Sequence, residues 1–151
     1  MDTIKKSNSI IVPFSPPDVT DAEIQEVICA LKSGWITTGP RTKQLEKEVA
    51  SLSGTNTAVC LNSNTACAEM TLRLLGIGKG DEVIVPAYTY TATASVVCHV
   101  GAKLVMVDLV KDGFTMDLNK LENAINENTK VIIPVDIFGI PCDYDKINAI
   151  I

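Results

Sequence analysis

Apolar positions along this chain switch between two periods. Ile24, Val27, Ile28 and Leu31 recur at spacings of three and four, which places them on one face of a helix. Thr20 precedes that helix and Glu23 follows three residues later, the pairing of a capping box, and Gly34 closes it. Pro16-Pro17 halts an extended start before it. Leu45, Val49 and Leu52 mark a second helix ending at Gly54. Short apolar runs then take over. The stretches 57–61, 81–86, 103–107 and 131–135 read as buried strands. Between them lie a helix running to about Leu75 and closed by Gly76, a small-residue helix over 89–98, and a helix opened by Asp117 that carries Leu118, Leu121 and Ile125. Strands alternating with helices at this spacing predict right-handed βαβ units. The fold class is therefore α/β, a three-layer α/β/α arrangement around a mostly parallel sheet.

One junction in this pattern carries chemistry. The run 57–61 stops at Asn62-Ser63-Asn64-Thr65, and a helix-compatible run begins at once. A helix start presents unpaired N–H groups and the positive end of its dipole. Such a place favours an anion, most often a phosphate. Ser63, Asn64 and Thr65 add side-chain donors. A plain Asn/Thr helix cap explains the same residues if the junction is considered alone.

Composition removes several alternatives. The chain has 151 residues, 46% hydrophobic and 21% charged, enough for a real core. A net charge of -5 argues against nucleic acid or an anionic membrane as partner. No apolar run reaches the roughly 20 residues of a membrane span, and the polar start, residues 1–9, is not a signal peptide. Five scattered cysteines without a Cys-x-x-Cys pair, and a single histidine, read as free thiols in a reducing, cytoplasmic compartment and make zinc improbable. His99, before Gly101, reads as a helix C-terminal cap rather than a base.

Four segments taken in order give a resemblance. They are Ser33-Gly34-Trp35-Ile36-Thr37-Thr38-Gly39-Pro40, Asn62-Ser63-Asn64-Thr65-Ala66, the run from Gly80 through Pro86 to Tyr90, and the run from Ile133 through Phe138-Gly139 to Asp143. Together, from about Ile11 onward, they resemble the N-terminal half of the DegT/DnrJ/StrS sugar aminotransferases, pyridoxal 5'-phosphate (PLP) enzymes of the type I transferase fold. The resemblance implies a helical segment over residues 1–55, a partial PLP-binding large domain over 56–151, and no small C-terminal domain.

It also implies roles. Ser63, Asn64 and Thr65 match the family's cradle for the PLP phosphate, although Gly or Ala is frequent where Asn64 stands. Tyr90 matches an aromatic that stacks on the pyridine ring, and Tyr88 reads as the packing residue. Thr37, Thr38 and Gly39 lie in a loop that lines the family's substrate pocket; a tight interhelix turn with a buried Trp35 reads equally well. Asp136 departs from the family's usual Val-His, which removes it from the expected substrate contacts. The family's Schiff-base lysine and pyridine-nitrogen carboxylate have no counterpart here, so the chain is expected to be a shortened or split form, inactive alone.

The complete enzyme is expected to take PLP, a keto-sugar nucleotide and an amino donor, with glutamate the donor, and to be a homo-oligomer. The open alternatives are a PLP-dependent keto-sugar dehydratase, a cyclitol transaminase, a non-catalytic α/β nucleotide-binding module and an assembly piece. The nucleotide module lacks a Gly-x-Gly-x-x-Gly or a Gly-Lys-Ser/Thr loop.

Overall fold

A computed structural model describes residues 16–151. The extended start expected before Pro16 lies outside those residues. Internal contacts divide the chain into residues 1–59 and residues 60–151.

The first unit holds α1 (Asp21–Lys32) and α2 (Pro40–Ser53). The capping box forms as the sequence predicts. The Thr20 hydroxyl accepts from the Ala22 N–H at 3.2 Å, while the Thr20 N–H donates to Glu23 Oε2 at 2.6 Å. Gly34 adopts φ 73, and past α2 Gly54 adopts φ 67, the left-handed geometry that glycine takes without penalty. Pro40 opens α2, where its missing N–H costs nothing. Arg41 pairs with Glu26 across the two helices. The apolar stripe of α1 exists but stays open: Ile24, Val27 and Leu31 are all exposed.

The second unit is the α/β body. Its elements are α3 (Asn64–Leu74), β1 (Glu82–Pro86), α4 (Ala92–His99), β2 (Lys103–Val107), α5 (Leu118–Ala124), β3 (Thr129–Ile132) and α6 (Tyr144–Ile150). The three strands form a parallel sheet in the order β2-β1-β3. Central β1 is buried along its whole length, as expected of a strand covered on both faces. Its side chains alternate between two cores. Val83 and Val85 meet Leu72 of α3 and Val96 and Val97 of α4. Ile84 faces the other way, toward Met116, Leu121 of α5 and Ile147 of α6. Helices on both faces make the three layers.

Three expectations change. Residues 57–61 form no strand. A strand exists only through a neighbour, and no segment among the described residues pairs with 57–61. The last strand begins and ends earlier than 131–135. The Ile133 N–H still reaches the Ile84 carbonyl at 2.8 Å, but Pro134 has no N–H to continue the ladder. The small-residue helix begins at Ala92 rather than 89, because residues 87–89 bend and only then does the Thr93 N–H return to the Tyr90 carbonyl.

Candidate functional site

The start of α3 is built as an anion site would be. Ser63 has extended backbone, φ -164 and ψ 157, and its hydroxyl oxygen accepts from the Ala66 N–H at 3.1 Å. The Cys67 N–H goes to the Ser63 carbonyl at 3.1 Å. That leaves the N–H groups of Asn64 and Thr65 without an acceptor among the described residues. The first turn of α3 has no acidic residue. No carboxylate in that turn therefore offsets the positive end of its dipole. The Ser63 hydroxyl hydrogen remains to donate, because only the oxygen is engaged in the cap.

The loops at the carboxyl ends of the strands carry the aromatic residues. Tyr88 follows β1, Phe114 follows β2 and Phe138 follows β3. Their rings meet. Tyr88 lies 6.0 Å from Phe114 and 6.4 Å from Phe138, and Phe114 meets Phe138 edge-on at 5.0 Å. Tyr88 is thus the packing aromatic. Tyr90 is 79% exposed and touches no other ring among the described residues. Beside Tyr88 and Phe114 opens a depression of about 610 Å³, also lined by Asp108, Lys111 and Lys120. Lys120 Nζ holds Asp108 Oδ2 at 2.8 Å, and that ammonium keeps the Asp108 carboxyl below its usual range.

In the first unit the loop before α2 surrounds an open depression of about 500 Å³, lined by Trp35, Thr37, Gly39, Pro40 and Arg41 among others. Trp35 is 58% exposed rather than buried, and its indole N–H donates to the Thr38 carbonyl at 3.0 Å. A side chain at Gly39 would collide with that indole. The indole therefore sits close against Gly39.

Two clusters were not legible as sites. Asp136 Oδ1 accepts from the Cys142 N–H at 2.9 Å and from the Tyr144 hydroxyl at 3.0 Å. Those bonds, the Cys142 N–H first, hold its carboxyl below the usual range. His99 ends α4, as a residue near the C-cap should, but its Nδ1 also lies 2.8 Å from Glu69 Oε2 on α3, and Arg73 holds the other oxygen of that carboxylate at 2.7 Å. Partners 30 residues apart leave no mark in a local pattern.

The family model for DegT/DnrJ/EryC1/StrS aminotransferases matches residues 17–151. A Streptococcus pneumoniae protein, Spr1654, assigned as a sugar aminotransferase, is similar at 58% identity and TM-score 0.88. The match covers 93% of this chain and 35% of that one. Spr1654 is also known in PLP and PMP forms. An aminotransferase from Psychrobacter cryohalolentis is 33% identical at TM-score 0.84, covering 91% of this chain and 36% of its own. A GDP-4-keto-6-deoxymannose-3-dehydratase holding a PLP-glutamate adduct is 28% identical at TM-score 0.85, covering 91% of this chain and 37% of its own. The chain thus spans about a third of the length of each of these three proteins. With the match extending over both helices of the first unit and the whole parallel sheet, the chain belongs to the DegT/DnrJ/EryC1/StrS aminotransferase family.

Proposed function

We propose that this chain supplies the phosphate cradle and the ring-stacking face of a PLP-dependent aminotransferase that acts on a keto-sugar nucleotide, with glutamate as amino donor. The observation that carries the reading is the start of α3. Two unpaired N–H groups, the hydroxyls of Ser63 and Thr65 and an uncompensated helix dipole meet there with no carboxylate in the first turn. That donor set fits a phosphate dianion. PLP, when bound, supplies an electron sink for chemistry at the amino-bearing carbon. The protein's share is to hold and orient. Asn64 and Thr65 would bind the phosphate through backbone N–H groups, and Ser63 and Thr65 through hydroxyls. Tyr90, exposed and without a ring partner among the described residues, offers a flat face to the pyridine ring. Thr37, Thr38 and Gly39 would meet the sugar substrate.

In this reading the chain binds but does not turn over. In residues 60–151, Lys103, Lys120, Lys130 and Lys146 are engaged with Glu82, Asp108, the Glu127 carbonyl and Asp143. Lys79 lies in the turn before β1 and Lys111 in the loop after β2. A nucleophilic lysine must be desolvated or otherwise activated, and these sit in turns, at element ends or in ion pairs. The reading also makes the protein a cytoplasmic homo-oligomer; its five free cysteines suit a reducing compartment.

The test is calorimetric titration with pyridoxine 5'-phosphate, which has the phosphate and the ring but no aldehyde to react with surface lysines. The intact chain should bind it. The pair Asn64→Leu and Thr65→Ala should weaken binding by about tenfold, the loss of roughly one charge-assisted hydrogen bond. Unchanged affinity would move the phosphate elsewhere. A second reading, a PLP-dependent keto-sugar dehydratase, is supported by the similarity to the GDP-4-keto-6-deoxymannose-3-dehydratase. Preference for a dinucleotide over pyridoxine phosphate would instead favour a nucleotide-binding module.

A further inference from the structure

The loop between β3 and α6 is closed by one carboxylate. Asp136 stands at the end of the irregular stretch 133–136, just before the turn at 137–139. Its Oδ1 accepts both the Cys142 N–H and the Tyr144 hydroxyl, so one oxygen ties the two ends of the loop together and fastens them to the first residue of α6. The Cys142 thiol adds a weak bond to the Val135 carbonyl at 3.5 Å. Within this closed loop Phe138 has φ 57 and ψ 19. A bulky residue is seldom left-handed, and such a conformation persists only where the surrounding structure imposes it. Here the geometry has a result. It places the Phe138 ring against Phe114 and Tyr88, and Tyr88 lies two residues before Tyr90.

We propose that Asp136 is a positioning residue for the ring-stacking face: its carboxylate closes the loop after β3, and through Phe138 and Tyr88 that loop sets the segment that carries Tyr90. The proposal rests on the reading of Tyr90 as the stacking residue. It assigns Asp136 no contact with substrate or cofactor. Thr89 and Thr93, whose hydroxyls lie 3.1 Å apart, give the same segment its other anchor, on α4. The segment after β1 is thereby held on the α4 side, where the Thr93 N–H also returns to the Tyr90 carbonyl, and on the other side by the rings of Phe114 and Phe138, the second of which the Asp136 tie positions.

The experiment uses the full 151-residue chain in three variants. Asp136→Ala removes the acceptor. Asp136→Asn keeps an acceptor oxygen without the charge. Tyr144→Phe removes one donor. Three properties are read: NOEs between the Tyr88 and Phe138 rings, affinity for pyridoxine 5'-phosphate, and the induced circular dichroism of the bound ring, which reports asymmetric stacking. Asp136→Ala should lose the NOEs, bind about tenfold more weakly and flatten the induced signal, as expected for about 1.4 kcal/mol of lost hydrogen bonding. Asp136→Asn should restore the NOEs and bind within about twofold of wild type, and Tyr144→Phe should fall between.

Asp136→Ala with unchanged NOEs and affinity would overturn the proposal while leaving the Tyr90 reading intact. So would an Asp136→Asn variant as damaged as the alanine. Failure of wild type to bind the probe at all would overturn the Tyr90 reading and this proposal with it. Should Asp136→Ala not fold, Tyr144→Phe decides: wild-type induced dichroism there counts against the proposal.

Discussion

Ser63 shows how much one oxygen can do. As acceptor it caps α3, and as donor it faces the place where the two unpaired N–H groups converge. Loss of an N-cap hydroxyl costs about 1 kcal/mol. Ser63→Ala should therefore lower both stability in urea and phosphate affinity. Thr65→Ala should lower affinity with the urea midpoint nearly unchanged, since the Thr65 hydroxyl makes no capping bond among the described residues. A Thr65→Ala variant that unfolds as readily as Ser63→Ala would refute the distinction.

Glu82 opens β1. It is buried, and its carboxylate takes the Lys103 ammonium at 2.6 Å and the Asn126 amide at 2.7 Å. Those two bonds, Lys103 first, lower its pKa. A carboxyl with a depressed folded pKa contributes stability that is complete above its unfolded value, about 4.3. That stability is lost as pH falls through the lower folded value. Acid titration of the thermal midpoint should show a decline below about pH 4, and Lys103→Met should flatten it. An equal slope in both proteins would exclude the pair as its source.

At the scale of elements, burial separates the consequential positions from the inert ones. Leu121 is fully buried on α5 among Ile84, Met116 and Ile147. Leu52, near the end of α2, is 90% exposed. Leu121→Ala should cost about 3 kcal/mol in denaturant unfolding, and Leu52→Ala less than about 0.5. Similar losses at the two positions would contradict the packing. The same contrast explains what was legible in the sequence. The capping box at Thr20 and Glu23, the left-handed stops at Gly34, Gly54 and Gly76, and the short apolar run of β1 depend on neighbours within a few residues. So they appear in the local pattern. Residues 57–61 have the composition of a strand, but pairing is a property of two segments, and no composition supplies the second. The donor groups of Ser63 and Thr65 could be read from residue type and helix phase. The tie from Asp136 to Tyr144 could not, because it depends on a loop whose Phe138 takes a backbone conformation that sequence gives no reason to expect.

At the scale of the molecule the open surfaces become the argument. Among the described residues β2 and β3 each have a strand neighbour on one side only. An unpaired edge presents a row of N–H and C=O groups to any strand that can reach it. On β2 that edge carries Met106, 62% exposed, three residues past Lys103, the strand's single charge, which is paired with Glu82. Leu74 and Leu75 at the end of α3 are exposed as well, and the three carboxyl-end aromatics stand half in solvent. Apolar surface on this scale marks association sites. The chain is therefore expected to self-associate, with sedimentation equilibrium giving a weight-average mass that rises with concentration. Met106→Lys places a charge on the β2 edge, at a side chain already in solvent. It should shift association toward monomer while leaving the urea midpoint within about 0.5 kcal/mol of wild type. If Met106→Lys associates as strongly as wild type, the contact runs through a surface other than β2. A wild-type chain that stays monomeric at high concentration and melts cooperatively would show that these edges and patches are tolerated, and that the α/β body is self-sufficient with its sheet open on both sides.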